Sequence, residues 1–360
     1  MFSRSLVITL ATGAAALVGL AGAAQAQTQG QDKIRWKMQS AFGSQLPHIG
    51  PSGQRFQKDV DRMSAGKFEV RFYEPGALIP ALECFDAVGK GSVEACWTTP
   101  GFHASKYPAM PFFTTVPFGP SFGEFLAWKW FGGGNKFRDE IYEKHGLKAF
   151  DAFCIGPETS GWFRREIKDA DDMKGIKMRF FGLGAKVMEK MGVQTQLIAP
   201  ADIFPALERG VIDATEFSMP TMDFKQGFHQ VAKFNYFPGW HQLVSCSEIL
   251  MNKEKFDALP DPFKAMLEVA SNAQIAYTYA ESESAQFDVM AEMKAKNGVQ
   301  FKRWSDADLA KYEKAWLEVI VEESAKDPLF KKISDHYLDY RKRYAVWGEA
   351  QVMKPTYLTK

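Results

Sequence analysis

The feature that most constrains the fold is an alternation of apolar strands and helices that occurs twice along the chain. In the first half, predicted strands cover residues 34–38, 68–73 and 93–98. After Gly146 the alternation returns, with predicted strands at residues 147–153, 161–165, 176–180, 193–198 and 214–217. Such repeats favour parallel sheets covered by helices. The sequence therefore predicts an α/β protein with two lobes, and a cleft between lobes is a typical small-molecule site.

The chain becomes almost entirely helical after the second repeat. Residues 260–297 keep helical spacing up to Asn297-Gly298, which is longer than an ordinary globular helix. We therefore expect this helix to span both lobes. We expect residues 305–360 to form a C-terminal helical region. The predicted first lobe is residues 27–153, completed by about 243–260, and the predicted second lobe is residues 154–242.

The first 26 residues have the layout of a secretory signal peptide. Arg4 precedes the apolar run Leu6–Leu20, and the small-residue motif Ala24-Gln25-Ala26 follows. The apolar run is too short, and too rich in alanine and glycine, to favour a membrane span. We expect cleavage after Ala26 and export, which in a bacterium leads to the periplasm.

The overall charge of the chain disfavours two classes of binding partner. The chain has 44 basic and 43 acidic residues, a formal net charge of +1. Nucleic acids and anionic lipid surfaces are therefore not favoured as partners by charge. The hydrophobic fraction of 46% is sufficient for a sizeable core, so disorder is not expected.

The four cysteines, Cys84, Cys96, Cys154 and Cys246, show no metal-binding or CxxC spacing. An exported protein can form disulfides, and Cys84 and Cys96 are the only pair that is near in sequence. A chain of this length does not need disulfides to fold. We therefore expect free, buried thiols.

The segment Lys174–Gly184 carries the clearest functional signal. It places Arg179 at the end of an apolar strand, just before a glycine-containing loop and a helix. Ligands of α/β proteins lie beyond the carboxyl ends of the strands, and a guanidinium group offers a donor fork that matches a carboxylate. The sequence therefore predicts a site for a small organic acid.

Three segments together resemble the extracytoplasmic solute receptors of tripartite ATP-independent periplasmic (TRAP) transporters. They are Gly161–Arg165, Met173–Arg179 and Asp202–Glu216. Their order and spacing match that family over essentially the whole mature chain. The segment Tyr236–Trp240 is most similar to the 2-oxo-acid (TakP) branch. The resemblance implies a periplasmic-binding-protein-like fold, in which several crossings and a long helix join two α/β lobes.

The resemblance also implies the roles of site residues. Arg179 aligns with the arginine that holds the ligand carboxylate, beside a metal ion that bridges ligand oxygens to the protein. Glu216 would bind this ion through its carboxylate and Phe217 through its backbone carbonyl. The other two positions fall on Glu158 and Gln242, where the carboxylate and the amide are exchanged relative to the 2-oxo-acid receptor. Oxygen ligands of this kind suit Na⁺ or Ca²⁺ rather than zinc.

Other positions bear on ligand selectivity. Phe102 and Cys154 align with a polar Tyr and Asn of the 2-oxo-acid receptor, and fewer polar pocket groups favour an apolar ligand tail. Trp162 and Trp240 are further candidates for lining the cleft, although such residues are as often part of a core. His241 follows Trp240 directly, so it is near the predicted site.

The leading functional prediction is a transport receptor that delivers a 2-oxo or 2-hydroxy monocarboxylate to membrane permease subunits. The alternatives are a metal-assisted lyase or decarboxylase and a sensory ligand-binding partner. The chain has no nucleophile elbow, zinc motif or dinucleotide fingerprint, so we expect a receptor and not an enzyme. Residues Phe330–Trp347 resemble the swapped terminal helix of some receptors in this branch, which implies a homodimer.

Overall fold

The computed structural model describes residues 33–352; the predicted signal peptide and its cleavage site lie outside this range. The first sheet contains β1 (Ile34–Ser40), β2 (Phe68–Tyr73), β3 (Ala95–Thr98), β4 (Leu147–Ile155) and β10 (Ser245–Asn252). The second contains β5 (Gly161–Phe163), β6 (Lys177–Arg179), β7 (Gln194–Gln196), β8 (Ala214–Thr215), β9 (Phe234–Phe237) and β11 (Gln300–Arg303). Each sheet forms the centre of one lobe.

The first sheet is mixed rather than wholly parallel. Its order is β2-β1-β3-β10-β4, with β1 parallel to both β2 and β3. Strand β10 runs antiparallel between β3 and β4. It returns directly from the second lobe, without the crossover helix that a parallel pair needs. The second sheet has the order β11-β9-β5-β8-β6-β7, so a strand beyond the long helical segment completes the second lobe.

Helices cover both sheets. Those that follow strands of the first sheet are α1 (Ile49–Met63), α2 (Cys84–Gly89), α3 (Phe122–Trp130), α4 (Gly134–Glu143) and α9 (Lys253–Asp257). Those that follow strands of the second sheet are α5 (Gly182–Lys190), α6 (Ile203–Glu208), α7 (Pro220–Gln226) and α8 (Phe228–Val231). The two main clusters of buried apolar side chains each draw residues from both lobes. The lobes are therefore packed together.

The segment expected to form one spanning helix is two helices, α10 (Asp261–Ser284) and α11 (Gln286–Lys296). Helix α10 packs on α1 and β4, and α11 packs on α7, so the pair does reach both lobes. The break lies at Ala285. There the side chain of Gln286 donates to the carbonyl of Ser282 at 2.6 Å. That carbonyl is the one that would accept the backbone N–H of Gln286 in a continuous helix.

The C-terminal region is also two helices, α12 (Asp306–Lys326) and α13 (Pro328–Ala350). Ser305 and Asp308 form a capping box that starts α12. Asp327 caps α13 by accepting from Leu329, and Pro328 occupies its first turn. Within residues 33–352, no helix has both the length and the apolar character required to span a membrane.

All four cysteines are paired, so the expectation of free thiols is wrong. The disulfides are Cys84–Cys96 and Cys154–Cys246. Cys154 on β4 and Cys246 on β10 are directly opposite in the antiparallel register. This pairing depends on a strand contact between residues 92 positions apart. Nothing local in the sequence indicates it.

Candidate functional site

A cavity that contains about 410 Å³ of empty space lies between the two sheets. Residues of the first lobe that line it include Phe42, Thr99, Phe102 and Phe153. The two lobes are in contact beside the cavity, where the rings of Phe102 and Phe181 pack edge to face with centroids 5.5 Å apart.

Arg179 is the last residue of β6, and its side chain is buried at the cavity. Its Nη1 donates to the carbonyl of Glu216 at 2.7 Å and to Oε1 of Glu216 at 2.9 Å. The guanidinium carbon lies 5.9 and 5.5 Å from the ring centroids of Phe181 and Phe217. Among the described residues, Nη2 donates to no partner. The guanidinium is thus held in place, with donor capacity left for a ligand.

Glu216 follows β8 and is fully buried. Its Oε1 accepts from Arg179 and also from the backbone N–H of Phe181, at 2.5 Å. Burial is the largest single effect and opposes ionisation, but the Arg179 charge, His241 and the backbone N–H of Phe181 together outweigh it and lower the pKa of Glu216. Gly182 has a φ of 65°, a conformation that suits glycine. It forms the turn from Phe181 into α5.

Glu158 and Gln242 lie on two of the chain segments that cross between the lobes, between β4 and β5 and between β9 and β10. The backbone N–H of Glu158 donates to the carbonyl of Gln242 at 3.1 Å. A Cβ on Gly239 would lie 2.2 Å from the Glu158 carbonyl, so only glycine allows this close approach. Burial, followed by the negative charges of Glu216 and Asp223, raises the pKa of Glu158 well above its usual value.

His241, which its place in the sequence puts near the predicted site, forms a cluster with Glu158 and Glu216. Its Nε2 lies 3.9 Å from Oε2 of Glu158 and 3.8 Å from Oε2 of Glu216, which is too long for a hydrogen bond. The imidazole ring is buried and packs edge to face against Phe180. One potential ligand atom from each of these three polar residues lies within 4.8 Å of the others. Its place between Trp240 and Gln242 was the sequence signal for this residue.

The buried polar atoms of this cluster lack partners among the described residues. They are Oε2 of Glu158, Oε2 of Glu216, Oε1 of Gln242 and both ring nitrogens of His241. Buried polar atoms are rarely left unpaired in proteins, and two buried carboxylates repel each other. A bound cation would satisfy the oxygen atoms and remove the repulsion. The residues present therefore fit a cation that takes oxygen ligands.

Phe102 lines the cavity, but Cys154 does not. Side chains alternate along β4, so Phe153 and Ile155 face the cavity. Cys154 points to the opposite face, where it is bonded to Cys246. The predicted contact between Cys154 and a ligand is therefore wrong.

The two tryptophans lie in the core and not at the cavity surface. Nε1 of Trp162 donates to Oδ2 of Asp223 at 2.8 Å, and Oδ1 of Asp223 accepts from the backbone N–H of Ser218 at 3.1 Å. Through Asp223, Trp162 thus helps to position Ser218, which lines the cavity. Burial raises the pKa of Asp223 to about 8. Trp240 stacks on Tyr312, with centroids 4.9 Å apart.

Comparison with known proteins identifies the family. The model of the family "bacterial extracellular solute-binding protein, family 7" (DctP) matches residues 43–327. The chain belongs to the DctP family. The TRAP receptor family predicted from the sequence is thereby confirmed, and this DctP protein is a solute receptor and not an enzyme. Membership also implies export to the periplasm.

Individual relatives agree with this identification. A monocarboxylate 2-oxoacid-binding periplasmic protein from Nostoc sp. PCC 7120 is 30% identical over 350 residues, 96% of this chain and 95% of the relative. A TRAP transporter solute-binding protein from Bordetella bronchiseptica RB50, with copurified calcium and picolinate, is 31% identical. That similarity covers 89% of this chain and 95% of the other, with a TM-score of 0.86.

A TRAP periplasmic solute-binding protein from Pseudoalteromonas atlantica T6c was solved with bound sodium and pyruvate. Its sequence is 29% identical to this one. The structural similarity covers 89% of this chain and 97% of the other, with a TM-score of 0.85. These similarities confirm the two-lobed fold predicted for this DctP protein. The ions in the two related structures belong to the predicted class, Na⁺ or Ca²⁺.

Proposed function

We propose that this TRAP receptor binds a small monocarboxylate, a 2-oxo or 2-hydroxy acid, and delivers it to the membrane permease subunits. One observation carries the proposal. The guanidinium of Arg179 lies at the cavity between the lobes, directly beside carboxylate oxygens that have no partner among residues 33–352. An anion-binding group and a cation-binding cluster in contact are the two parts needed to hold such an acid. The relative with bound sodium and pyruvate is consistent with this arrangement.

Glu216, Glu158, Gln242 and the carbonyl of Phe217 would hold Na⁺ or Ca²⁺ in this proposal. The ion would supply positive charge for the ligand oxygens that Arg179 does not reach. Na⁺ and Ca²⁺ both accept carboxylate, amide and carbonyl oxygens. His241 is close enough to join this cluster, although nitrogen is not a usual ligand of either ion.

The remaining cavity walls favour a ligand with an apolar tail. Side chains of Phe42, Ile49, Phe102, Phe153 and Phe181 line the cavity. Each buried methylene of a ligand contributes about 0.8 kcal/mol. A branched 2-oxo acid such as 2-oxo-4-methylpentanoate, which has three more carbons than pyruvate, is therefore expected to bind at least tenfold more tightly.

The test is a cargo and binding analysis of the exported chain. Native mass spectrometry with elemental analysis identifies the retained acid and ion. Calorimetry with pyruvate and 2-oxo-4-methylpentanoate, in the presence of CaCl₂, then compares their affinities in wild-type protein and in Phe102→Ala. If F102A no longer binds 2-oxo-4-methylpentanoate more tightly than pyruvate, the result supports Phe102 as part of an apolar wall around the ligand tail. Tighter binding of pyruvate contradicts the apolar tail, and catalytic conversion of either acid contradicts a receptor.

We also propose that two chains associate through α13. Val346 and Trp347, adjacent near the end of this helix, are 78% and 60% exposed, and a second chain packed here would remove their apolar surface from water. The relative from B. bronchiseptica was solved as a dimer. Light scattering tests the proposal, and a monomer at micromolar concentration would reject it.

A further inference from the structure

His48 has a backbone conformation that is rare for a residue with a side chain. It lies just before α1, with φ 64° and ψ −62°. The backbone N–H of Ile49 donates to the carbonyl of Pro47 at 2.7 Å, so His48 is the central residue of a γ-turn. Turns of this hand are rare and strained. Strain of this kind persists only where surrounding contacts hold it, often at functional sites.

The side chain of His48 connects three parts of the molecule. Its ring is 6% exposed. Nε2 forms a hydrogen bond of 2.9 Å with Oγ1 of Thr221, on α7 of the second lobe. Nδ1 faces Oε2 of Glu281, on α10, at 3.7 Å. A residue of the first lobe therefore contacts both the second lobe and the spanning helix.

Thr221 is itself held beside the break in the spanning helices. Its Oγ1 accepts from Nε2 of Gln286 at 3.1 Å, and its backbone N–H donates to Oε1 of Gln286 at 3.0 Å. The Thr221 hydroxyl proton is thereby left to donate to His48. Gln286 is the first residue of α11, directly after Ala285. The contact between the lobes thus lies at the break between α10 and α11.

Both ends of this contact are close to the cavity. Ile49, next to His48, lines the cavity from the first lobe. Ser218, three residues before Thr221, lines it from the second lobe and donates to Oε1 of Glu158 at 3.4 Å. Movement of either lobe away from the ligand would therefore separate His48 from Thr221.

We propose that His48 and Thr221 form a latch that holds the receptor closed over its ligand, with the strained turn at His48 maintained by closure. The inference rests on the proposed receptor function. A contact made only after closure stabilises the closed form, because an equilibrium shifts only by differential interaction with its two states. It therefore slows ligand release and leaves ligand capture unaffected. His48 acts here as a positioning residue and does not touch the ligand.

The first test uses His48→Ala and the conservative variant His48→Gln, whose amide can still bond to Thr221. Stopped-flow tryptophan fluorescence with pyruvate and CaCl₂ gives both rates. We expect the dissociation rate of H48A to rise about three- to tenfold, the size expected for one hydrogen bond. The association rate stays unchanged, and H48Q restores slow release. In the double variant H48A/T221V, release is no faster than in the faster single variant.

The melting temperature distinguishes the latch from a purely structural role of His48. The melting temperature of the ligand-free protein stays at the wild-type value in H48A if the latch forms only on closure. An equal fall in melting temperature with and without pyruvate, or additive effects of H48A and T221V on release, overturns the latch.

A second measurement keeps this test separate from the ligand assignment. Spin labels on non-natural residues at the exposed positions Lys90 and Glu208, one in each lobe, report lobe separation by pulsed electron resonance. In protein that carries its copurified cargo, the latch predicts a smaller closed fraction in H48A than in wild type or H48Q. Equal closed fractions in H48A and wild type would overturn the latch. Failure of pyruvate to bind wild-type protein contradicts only the proposed ligand.

Discussion

Nη1 of Arg179 donates to both the side chain and the backbone carbonyl of Glu216, at 2.9 and 2.7 Å. The residue expected to bind the anion therefore also positions a residue expected to bind the cation. Both side chains are almost fully buried, at 2% and 0% exposure. Removal of one partner from a buried ion pair typically costs about 3–5 kcal/mol, because the other charge remains buried and unpaired. The two halves of the proposed site thus depend on each other.

Substitution of Arg179 should abolish high-affinity binding. Arg179→Lys keeps the positive charge but loses the planar fork, so we expect affinity for the retained acid to fall about tenfold to a hundredfold. Arg179→Ala should fall further and should also lower the melting temperature, because Glu216 loses its counter-charge. Titration calorimetry measures the affinities. Arg164→Ala, at an exposed position two residues after Trp162, is the control, and undiminished binding by R179A would refute the carboxylate role.

Removal of the cation should reduce both stability and acid binding. An ion that binds only the folded state stabilises it, by about 2.7 kcal/mol at a hundred times its dissociation constant. We expect CaCl₂ or NaCl to raise the melting temperature of chelator-treated protein by a few degrees. Glu216→Gln should remove that increase. Glu268→Gln, on the exposed face of α10, should retain it. A shift in E216Q equal to that of wild type would contradict the assigned ligand.

The two disulfides should differ in their contribution to stability. In the chain-entropy model, closing a loop of about 12 residues contributes about 3 kcal/mol, and a loop of about 92 residues contributes 4 to 5 kcal/mol. We expect C154A/C246A to lower the free energy of unfolding more than C84A/C96A does. Urea denaturation measures the difference. Detection of free thiols in the unreduced, unfolded wild-type protein would show that the pairs do not form.

Glu248 should make stability depend on pH. Burial raises its pKa to about 7, although Arg138 opposes the shift, and Tyr142 donates to its Oε1. The folded state then binds more protons than the unfolded state between about pH 4.5 and 7, so the free energy of unfolding falls as pH rises through that range. Over that range the fall in the free energy of unfolding amounts to about 2–3 kcal/mol. Glu248→Gln should lack this fall, as urea denaturation at pH 5 and 7.5 can test. Parallel pH profiles of the two proteins would contradict the raised pKa.

Local patterns predicted most elements of the two lobes. The strand at residues 68–73 has the predicted bounds, and the predicted helix at about residues 50–64 matches Ile49–Met63 closely. Strand β10 was missed, because its residues are buried along their whole length and show no alternation. The break at Ala285 was also missed. It depends on a side-chain hydrogen bond from Gln286, which helical spacing does not reveal.

The sequence by itself determined the fold class, the family and the position of Arg179, because periodicity and motif spacing are local properties of the chain. Only the tertiary structure decided which faces of the strands meet the cavity. That is why Cys154 pairs with Cys246 while its neighbours Phe153 and Ile155 line the cavity. The place of His241 beside Glu158 and Glu216 was decided in the same way. Such contacts join segments far apart in the chain, and their geometry exists only once the two lobes have packed together.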